Sequence, residues 1–379
     1  MSVFRSFILA LVLALAAPSF AGEPAGIDAL LADAIGHNLI AGGVVLIGSR
    51  EKILFQRAYG RVSALAEARG MSTDTLFDIA SLTKVVATTP AILKLAEEGR
   101  LSLLDPVVKW FPEFAGRGKD GILVLNLLTH TSGLDDIPLS SGAALQSAVE
   151  GAASQRLKGE IGSRFHYADL NFILLAELVR RATGAGLDLY AHACFYAPLG
   201  MSYTSFKPQR ERCSATVCDG EILFGEVQDH LARQLGGVAG HAGLFSTAGD
   251  LARFCQMMLS GGTLGGKRVL EQRTVAQMTA PYFSRGGEVV RGLGWDISSP
   301  YSSPRGLGFS KVSFGHTGYS GSSLWIDPAS DIFVILLTAR LDYKKVHDFS
   351  KLRGDLSTLA SRLFAVPPEL EEMAHFHDE

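Results

Sequence analysis

Apolar positions at the two ends of the chain follow different periods. Residues 27–40 (IDALLADAIGHNLI) carry apolar side chains at helical spacing, which predicts an amphipathic helix. In 42–60, two runs rich in β-branched residues meet at a polar tip, the pattern of a β-hairpin. Strand patterns return after about residue 290 and include a second hairpin over 320–340 (SGSSLWIDPASDIFVILLTAR). An amphipathic helix over 349–365 follows.

The middle of the chain is mainly helical in pattern, with long loops. Helices are predicted at 82–97, 124–130, 170–184, 187–197 and 248–260. Strands at both ends with helices between them predict an α+β fold, in which one antiparallel sheet flanked by helices is built from both chain ends. The expected units are a discontinuous sheet domain (22–76 and 285–366) and an inserted, mainly helical lobe (77–284). A ligand-binding cleft is expected between them.

The first 21 residues have the pattern of a cleaved secretory signal peptide. An arginine precedes an apolar run, and small residues at Ser19 and Ala21 predict cleavage after Ala21. An uncleaved amphipathic anchor is the alternative. The apolar run is about half of the ~20 residues that a membrane-spanning helix needs. We therefore expect a periplasmic or secreted protein without a membrane span in the mature chain, ending in a loose acidic tail over 367–379.

Composition and charge narrow the class of partner. The chain is 47% hydrophobic and 19% charged, which is typical of a globular protein, and its net charge of -3 gives no reason to expect nucleic acid binding. Among the four cysteines, Cys213 and Cys218 could close a short disulfide loop in an oxidising compartment or remain free thiols. No histidine stands near them at ligand spacing, so we expect no metal site there.

A serine three residues before a lysine occurs twice. Ser49 and Lys52 lie at the polar tip of the first hairpin and are expected to be solvated. Ser81 and Lys84, in SLTK, begin an apolar helix, and residues i and i+3 share a helix face. Lys84 could act as a base toward Ser81 only if burial and neighbouring cations lowered its pKa by ~3 units from about 10.4. The alternative is an ordinary serine beside a lysine that extends to solvent.

Several segments together resemble one enzyme family. They are FDIASLTKVVATT (77–89), LNLLTHTSGL (125–134), FHYADLNFILLAELV (165–179), APLGMSYTSF (197–206), GGVAGHAGLFSTAGDLARF (236–254), GLGW (292–295) and FGHTGYSGSSLWIDP (314–328). In this order they are similar to the serine β-lactamase and penicillin-binding protein superfamily, in its class C-like branch. That branch includes D,D-carboxypeptidases and carboxylesterases, and the resemblance covers most of the mature chain.

The resemblance assigns roles to the first two motifs. Ser-x-x-Lys falls on Ser81 as the nucleophile and Lys84 as its basic partner. The family's Tyr-x-Asn appears as YAD, so Tyr167 corresponds to the proton-shuttling tyrosine. Asp169 replaces the family asparagine and can only accept hydrogen bonds when ionised. It would hold Lys84 charged, which weakens the case for amide substrates. The alternative is that Asn171, two residues further on, supplies the missing amide.

The third motif, Lys-Thr-Gly in many relatives, appears here as His316, Thr317 and Gly318. The resemblance implies that their strand forms one wall of the cleft. It also implies that the backbone N–H groups of Tyr319 and Ser81 form the oxyanion hole, in which each donor typically lowers the barrier by ~3–4 kcal/mol. A histidine carries less permanent positive charge than lysine, which makes efficient β-lactamase activity less expected.

These inferences predict an exported serine hydrolase that forms an acyl-enzyme on Ser81 without a metal or organic cofactor. The expected partners are D-amino-acid peptides, among them peptidoglycan fragments, or small esters. The alternatives are a true class C β-lactamase and a non-catalytic penicillin- or cell-wall-peptide-binding protein. His130 and His241, in two of the family segments, are expected to have packing and hydrogen-bonding roles.

Overall fold

A computed structural model describes residues 24–285 and 289–365. The predicted signal peptide and the tail after residue 366 lie outside these residues. The strands are β1 (Ile40–Gly48), β2 (Ile53–Gly60), β3 (Phe77–Asp78), β4 (Ala215–Cys218), β5 (Glu221–Phe224), β6 (Phe245–Ser246), β7 (Thr263–Leu264), β8 (Lys267–Arg268), β9 (Phe283–Arg285), β10 (Val289–Arg291), β11 (Asp296–Ser298), β12 (Phe314–Thr317), β13 (Ser323–Asp327) and β14 (Ile332–Arg340).

The helices surround the sheet and fill the middle of the chain. They are α1 (Ala25–Gly36), α2 (Thr89–Glu97), α3 (Val124–Leu128), α4 (Ala144–Ser154), α5 (Asp169–Thr183), α6 (Leu187–Ala191), α7 (Ala197–Leu199), α8 (His230–Gln234), α9 (Ala248–Leu259), α10 (Gln272–Thr279) and α11 (Val346–Phe364). Short 3₁₀ turns lie at Ala80–Leu82, Val107–Lys109, Pro112–Phe114, Arg210–Arg212 and Ser303–Arg305, and π-helical turns lie at Lys84–Thr88 and His192–Tyr196.

The central sheet joins the two ends of the chain. Its eight strands are antiparallel, in the order β2-β1-β14-β13-β12-β11-β10-β9. The ends meet where β1 pairs with β14, with Val44 opposite Leu337 and Ile47 opposite Val334. The predicted α+β fold, with one antiparallel sheet assembled from both ends and flanked by helices, is therefore confirmed.

Helices cover both faces of the sheet. Side chains alternate along a strand, so Val45 and Ile47 pack with α1 and α11, whereas Val44 and Leu46 face the larger core that contains the middle helices. Because both faces are covered, β14 is buried along its whole length, which explains its nearly continuous apolar sequence.

The helices with a clear apolar period in the sequence end close to their predicted boundaries. Helix α5 lies within one residue of the predicted 170–184, and α9 within one residue of 248–260. The hydroxyl of Thr247 caps α9 by accepting from the backbone N–H of Asp250. The segment predicted as 82–97 begins with the π-helical turn before it becomes α2, a feature often found at functional sites.

Some elements were not predicted. Helices α4 and α10 and the hairpin formed by β4 and β5 all lie in the middle of the chain. Strand β9 begins at Phe283, just before the expected boundary of the sheet domain. The division into 22–76 with 285–366 and 77–284 stays a prediction.

All four cysteines are free thiols, so Cys213 and Cys218 are not bridged. Cys213 and Cys255 are buried, whereas Cys194 and Cys218 are partly exposed. Among the helices in the described part of the chain, none has both the length and the apolar character needed to cross a bilayer.

Candidate active site

A strained turn carries Ser81. The preceding residue, Ala80, has φ +45°, a region that a residue with a side chain rarely adopts. The carboxylate of Asp78 holds this turn, because Oδ1 accepts from the N–H of Ala80 at 2.8 Å and Oδ2 accepts from the N–H of Gln228 at 2.7 Å. Burial raises the pKa of Asp78 to about 6. The turn that presents Ser81 is thus fixed by a buried acid.

Lys84 lies behind Ser81 with no exposed surface. Its Nζ is 3.0 Å from Oγ of Ser81 and donates to the backbone oxygen of His241 at 3.0 Å. Oδ1 of Asp169 lies 2.7 Å from the same nitrogen. Two hydrogen-bond acceptors and a carboxylate surround this nitrogen, an environment that suits a charged lysine.

The pair formed by Lys84 and Asp169 decides the charge of the site. Burial opposes the ammonium form, but the Asp169 carboxylate and Tyr167 together outweigh it, and the pKa of Lys84 is raised above its usual value. Burial likewise opposes ionisation of Asp169, but the charge of Lys84 lowers its pKa. Burial alone therefore does not make Lys84 a base, and Asp169 has the opposing effect expected from its replacement of asparagine.

Tyr167 completes the group of reactive side chains. Its ring stacks on His130 with a centroid separation of 4.4 Å, and Nζ of Lys84 lies 5.0 Å from the centre of the ring. Burial raises the pKa of Tyr167, while the charge of Lys84 and hydrogen bonding to Lys84 and Ser81 lower it, with a net rise. The structure brings together the hydroxyl, amine and phenol named from the sequence.

Asn171 does not take the place of the missing amide. It is fully buried, its Oδ1 accepts from Oγ of Ser132 at 2.6 Å, and its Nδ2 donates to the backbone oxygen of Ala168 at 3.2 Å. Nδ1 of His130 accepts from the N–H of Ala168 at 3.3 Å. Asn171 and His130 thus support the backbone beside Tyr167, as was expected for His130.

The end of β12 lies against the turn that carries Ser81. Oγ of Ser322 donates to the backbone oxygen of Ile79 at 2.8 Å, and a Cβ at Gly318 would lie 2.4 Å from that oxygen, so only glycine allows this contact. Nδ1 of His316 donates to the backbone oxygen of Thr317 at 2.8 Å. Burial, with the nearby positive charges, lowers the pKa of His316 well below its usual value, so His316 is neutral at neutral pH.

One cavity of about 530 Å³ opens onto these groups. The predicted site residues that line it are Ser81, Tyr167, Asp169, His316, Thr317, Gly318 and Tyr319. Lys84 lies behind this surface and reaches the cavity through Ser81. The cavity is therefore a suitable place for a carbonyl compound to meet Ser81.

Three potential metal ligands lie close together beside Lys84. Ligand atoms of Asp169, Asp229 and His241 all lie within 4.8 Å of one another. Nε2 of His241 is 2.9 Å from Oδ1 of Asp229, so each carboxylate already has a partner, because Asp169 is paired with Lys84. The ammonium occupies the position next to Asp169 where a cation would otherwise be favoured.

Sequence reasoning missed several residues that line the cavity. They include Asp229, Arg291, Asp296, Tyr301, Arg340 and Arg353. The sequence does contain a signal for Arg353, namely a charged residue on the apolar face of a helix. It shares that face of α11 with Phe349, Leu352 and Leu356. For Asp229, we find no signal in the sequence that distinguishes it from other polar residues in loops.

Comparisons with known proteins show what this chain is similar to. The family model described as Beta-lactamase matches residues 27–353. An Escherichia coli (strain K12) protein named "Putative D-alanyl-D-alanine carboxypeptidase" is 32% identical over 337 residues, which are 78% of this chain and 77% of that protein.

Solved structures show the same fold. A penicillin-binding protein homologue from Caulobacter crescentus superimposes with a TM-score of 0.74 at 22% identity, covering 91% of this chain and 98% of that one. A class C β-lactamase from Rhodobacter sphaeroides gives 0.72 at 18% identity, covering 90% and 100%. At these identities the two structures support the fold and say nothing about the substrate.

Proposed function

The chain belongs to the β-lactamase family of serine hydrolases, and from this premise we propose that it hydrolyses D-amino-acid peptides or small esters through an acyl-enzyme on Ser81. The observation that carries the proposal is the 3.0 Å separation between Nζ of Lys84 and Oγ of Ser81 at the edge of the cavity. Nucleophilic catalysis requires a serine hydroxyl within hydrogen-bond reach of a group that can take its proton, and the amine of Lys84 can do so once it is neutral.

In the proposed acylation, Oγ of Ser81 attacks the substrate carbonyl carbon and loses its proton to the group formed by Lys84 and Tyr167. Because Lys84 is held as an ammonium, it can accept this proton only if it passes one of its own to Asp169 or has already lost one to solvent. The N–H groups of Ser81 and Tyr319 hold the negative oxygen of the tetrahedral intermediate.

The intermediate then collapses. The bond to the leaving amine or alcohol breaks, and the leaving group takes a proton through Tyr167, leaving the acyl group esterified to Ser81. Water attacks this ester, its proton returns through the same groups, and the carboxylic acid product leaves with Ser81 restored. The overall reaction consumes one water and needs no cofactor.

Two substrate classes fit, for different reasons. Peptides ending in D-alanyl-D-alanine are favoured by the name of the Escherichia coli relative, which is similar over most of both chains. Small esters are favoured by Asp169, because an ionised carboxylate cannot donate to a substrate carbonyl as the family asparagine does, and esters are intrinsically easier to cleave than amides. We place D,D-carboxypeptidase activity first and esterase activity second.

Two rival functions make different predictions. A true β-lactamase would turn over a chromogenic cephalosporin rapidly. A neutral His316 provides no charge to attract a substrate carboxylate, whether of a β-lactam or of a peptide C-terminus, so the turnover assay and not this charge separates the two activities. A non-catalytic peptide-binding protein would bind cell-wall peptides without forming or releasing an acyl group. We expect β-lactams to acylate Ser81 and to be released slowly.

The test uses a fluorophosphonate or a labelled penicillin with intact-protein mass spectrometry. The wild-type protein and Ser49→Ala should gain one adduct, and Ser81→Ala should gain none, since Ser49 stands at the same spacing from a lysine but lies at an exposed hairpin tip. An adduct that persists in Ser81→Ala would refute the proposal. A panel of p-nitrophenyl esters, D-alanyl-D-alanine peptides and cephalosporins then ranks the substrate classes.

Export belongs to the same proposal. The sequence of the first 21 residues supports a cleaved signal peptide and hence a periplasmic or secreted hydrolase. N-terminal sequencing of the protein from the periplasmic fraction should begin at Gly22. Recovery of the full-length chain from the cytoplasm alone would contradict this localisation.

A further inference from the structure

Helix α11 packs on the face of the central sheet opposite the middle helices, and its Arg353 reaches the backbone of the proposed oxyanion hole just after β12. Its Nη2 donates to the backbone oxygen of Gly318 at 2.6 Å and to that of Ser322 at 2.7 Å. The carbonyl of Gly318 and the N–H of Tyr319 belong to the same peptide group. The guanidinium therefore binds one end of the peptide whose other end is the expected oxyanion donor.

We propose that Arg353 is a positioning residue that orients and polarises the peptide between Gly318 and Tyr319 and so strengthens its N–H as an oxyanion donor. This inference rests on the proposed function, because it requires an acyl-enzyme whose carbonyl oxygen lies against that N–H. It assigns to a residue of α11 a part in the reaction that the catalytic motifs do not include.

The physical basis is the shared dipole of a peptide group. A cation that binds the carbonyl oxygen draws electron density away from the nitrogen and makes the N–H a stronger donor. The N–H of Tyr319 donates no hydrogen bond within residues 24–285 and 289–365, so it is free to bind a substrate oxygen. Its own carbonyl is held too, because Nη1 of Arg340 donates to the backbone oxygen of Tyr319 at 3.0 Å.

The environment of Arg353 is costly for a cation. The side chain is only 7% exposed, and its Nε–H finds no partner among the described residues. Burial and the positive charge of Arg340 both lower the pKa of Arg353. Among the described residues, its cation is compensated by backbone oxygens and by the ring of Phe349, 4.6 Å away, and by no carboxylate within ion-pair distance. A purely structural position on this apolar face would be filled more favourably by leucine or methionine.

The second proposed donor has a weaker version of the same arrangement. The N–H of Ser81 shares a peptide with the carbonyl of Ala80, and that oxygen accepts from Oγ1 of Thr83 at 2.6 Å. Here the donor is a neutral hydroxyl, whereas at Gly318 it is a guanidinium. Charge-assisted hydrogen bonds are about twice as strong as neutral ones, so the larger polarisation falls on the peptide of Tyr319.

The test compares Arg353→Met, Arg353→Lys and a control, Arg362→Met, which removes an exposed arginine from the same helix. An ester with a ¹³C-labelled carbonyl acylates each variant, and infrared difference spectra give the stretching frequency of the acyl-enzyme carbonyl. We expect this band to move to higher frequency in Arg353→Met, with kcat at least about 10-fold lower and KM little changed, since loss of an oxyanion donor typically costs 10²–10³. Arg353→Lys should fall between, and Arg362→Met should match the wild type.

The outcomes separate this inference from the proposed function. If the wild type forms no acyl-enzyme, the proposed function fails and the role of Arg353 fails with it. If the wild type forms one and the band is unchanged in Arg353→Met, only the role of Arg353 is refuted, even if kcat falls. Should Arg353→Met lose its native circular dichroism, the band position in Arg353→Lys decides in the same way.

Discussion

The ammonium of Lys84 lies closer to the carboxylate of Asp169, at 2.7 Å, than to the hydroxyl of Ser81, at 3.0 Å. The group expected to activate the nucleophile is thus paired with an acid in the resting site. Since the pKa of Lys84 is raised by this pairing, the proton of Ser81 has no vacant base to accept it at neutral pH. The identity of residue 169 therefore controls how much of the enzyme is ready to react.

Replacing Asp169 should change the pH dependence of the reaction. The negative charge of Asp169 raises the pKa of Lys84, so Asp169→Asn should lower it and increase the fraction of neutral amine at neutral pH. The rising limb of kcat/KM against pH should move to lower pH by about 1–3 units, the range typical of an opposite charge at this distance. The measurement is the pH profile for a small ester, from pH 5 to 11.

Asp229→Asn is the matched control for this profile. It removes a carboxylate from the same cavity, but one whose hydrogen-bond partner is His241 rather than Lys84. We expect the rising limb of kcat/KM against pH to shift much less in Asp229→Asn than in Asp169→Asn. If this limb does not move in Asp169→Asn, Lys84 is not the group that titrates.

The same substitution should also change the preference between amides and esters. An asparagine at position 169 can donate a hydrogen bond to a substrate carbonyl, which the ionised aspartate cannot, and an amide carbonyl accepts such a bond more strongly than an ester carbonyl does. With a D-alanyl-D-alanine peptide and the matching D-alanyl-D-lactate ester, Asp169→Asn should raise the amide-to-ester ratio of kcat/KM by about 10-fold, equal to one hydrogen bond of ~1 kcal/mol or slightly more. Because both substrates need the same base, the ratio is insensitive to the pKa of Lys84. A ratio equal to that of the wild type would remove the reasoning about the missing donor.

Gly318 should tolerate no side chain. A Cβ there would lie 2.0 Å from Oγ of Ser322 and 2.4 Å from the backbone oxygen of Ile79, so Gly318→Ala must push β12 away from the turn that holds Ser81. We expect about 1–3 kcal/mol lower free energy of unfolding from overpacking, and acylation at least about 100-fold slower because the oxyanion donor moves. Urea denaturation and the rate of labelling by a fluorophosphonate measure the two effects.

Gly70→Ala is the control, because a Cβ at Gly70 would meet no atom within 4 Å. It should leave both the unfolding free energy and the labelling rate near their wild-type values. Fast labelling in Gly318→Ala would show that the strand and the nucleophile turn need not be in close contact.

Local patterns account for the parts of the fold that were predicted. The hairpin of β1 and β2 has two apolar runs that meet at a polar tip, and helix α5 has apolar residues at helical spacing, so their positions follow from the sequence. Helix α4 (ALQSAVEGAAS) buries one face, but that face consists mainly of alanines, which are too small to stand out in the sequence, and it packs against α5 and the turn around Phe114. Its stability thus comes from tertiary contacts that no local pattern records.

The site divides in the same way. Ser81, Lys84 and Tyr167 stand in motifs with fixed spacing, so the family resemblance could identify them. Asp229 and Arg353 reach the cavity only because separate elements fold together, and Arg353 lies 272 positions after Ser81, as the difference 353 − 81 gives. The direction in which Asp169 shifts the pKa of Lys84 could be anticipated from the sequence. The size of that shift could not, because it depends on the burial of the pair that Lys84 forms with Asp169.

The cysteines provide a prediction that is independent of catalysis. Cys213 precedes β4 and Cys218 ends it, so the extended chain between them spans roughly 3.3 Å per residue, well beyond the Cα separation of about 4.4–6.8 Å that a disulfide allows. A bridge would require breaking the pairing of Cys218 with Glu221 in the hairpin. Burial, with the charge of Asp78, raises the pKa of the Cys213 thiol to about 12, which makes it unreactive.

Reaction with Ellman's reagent tests this arrangement. In the native protein the reagent should modify Cys194 and Cys218 and spare the buried Cys213 and Cys255, and in denaturant all four should react. Dithiothreitol should leave Tm unchanged. A non-reducing peptide map that joins Cys213 to Cys218 would contradict this arrangement of the hairpin.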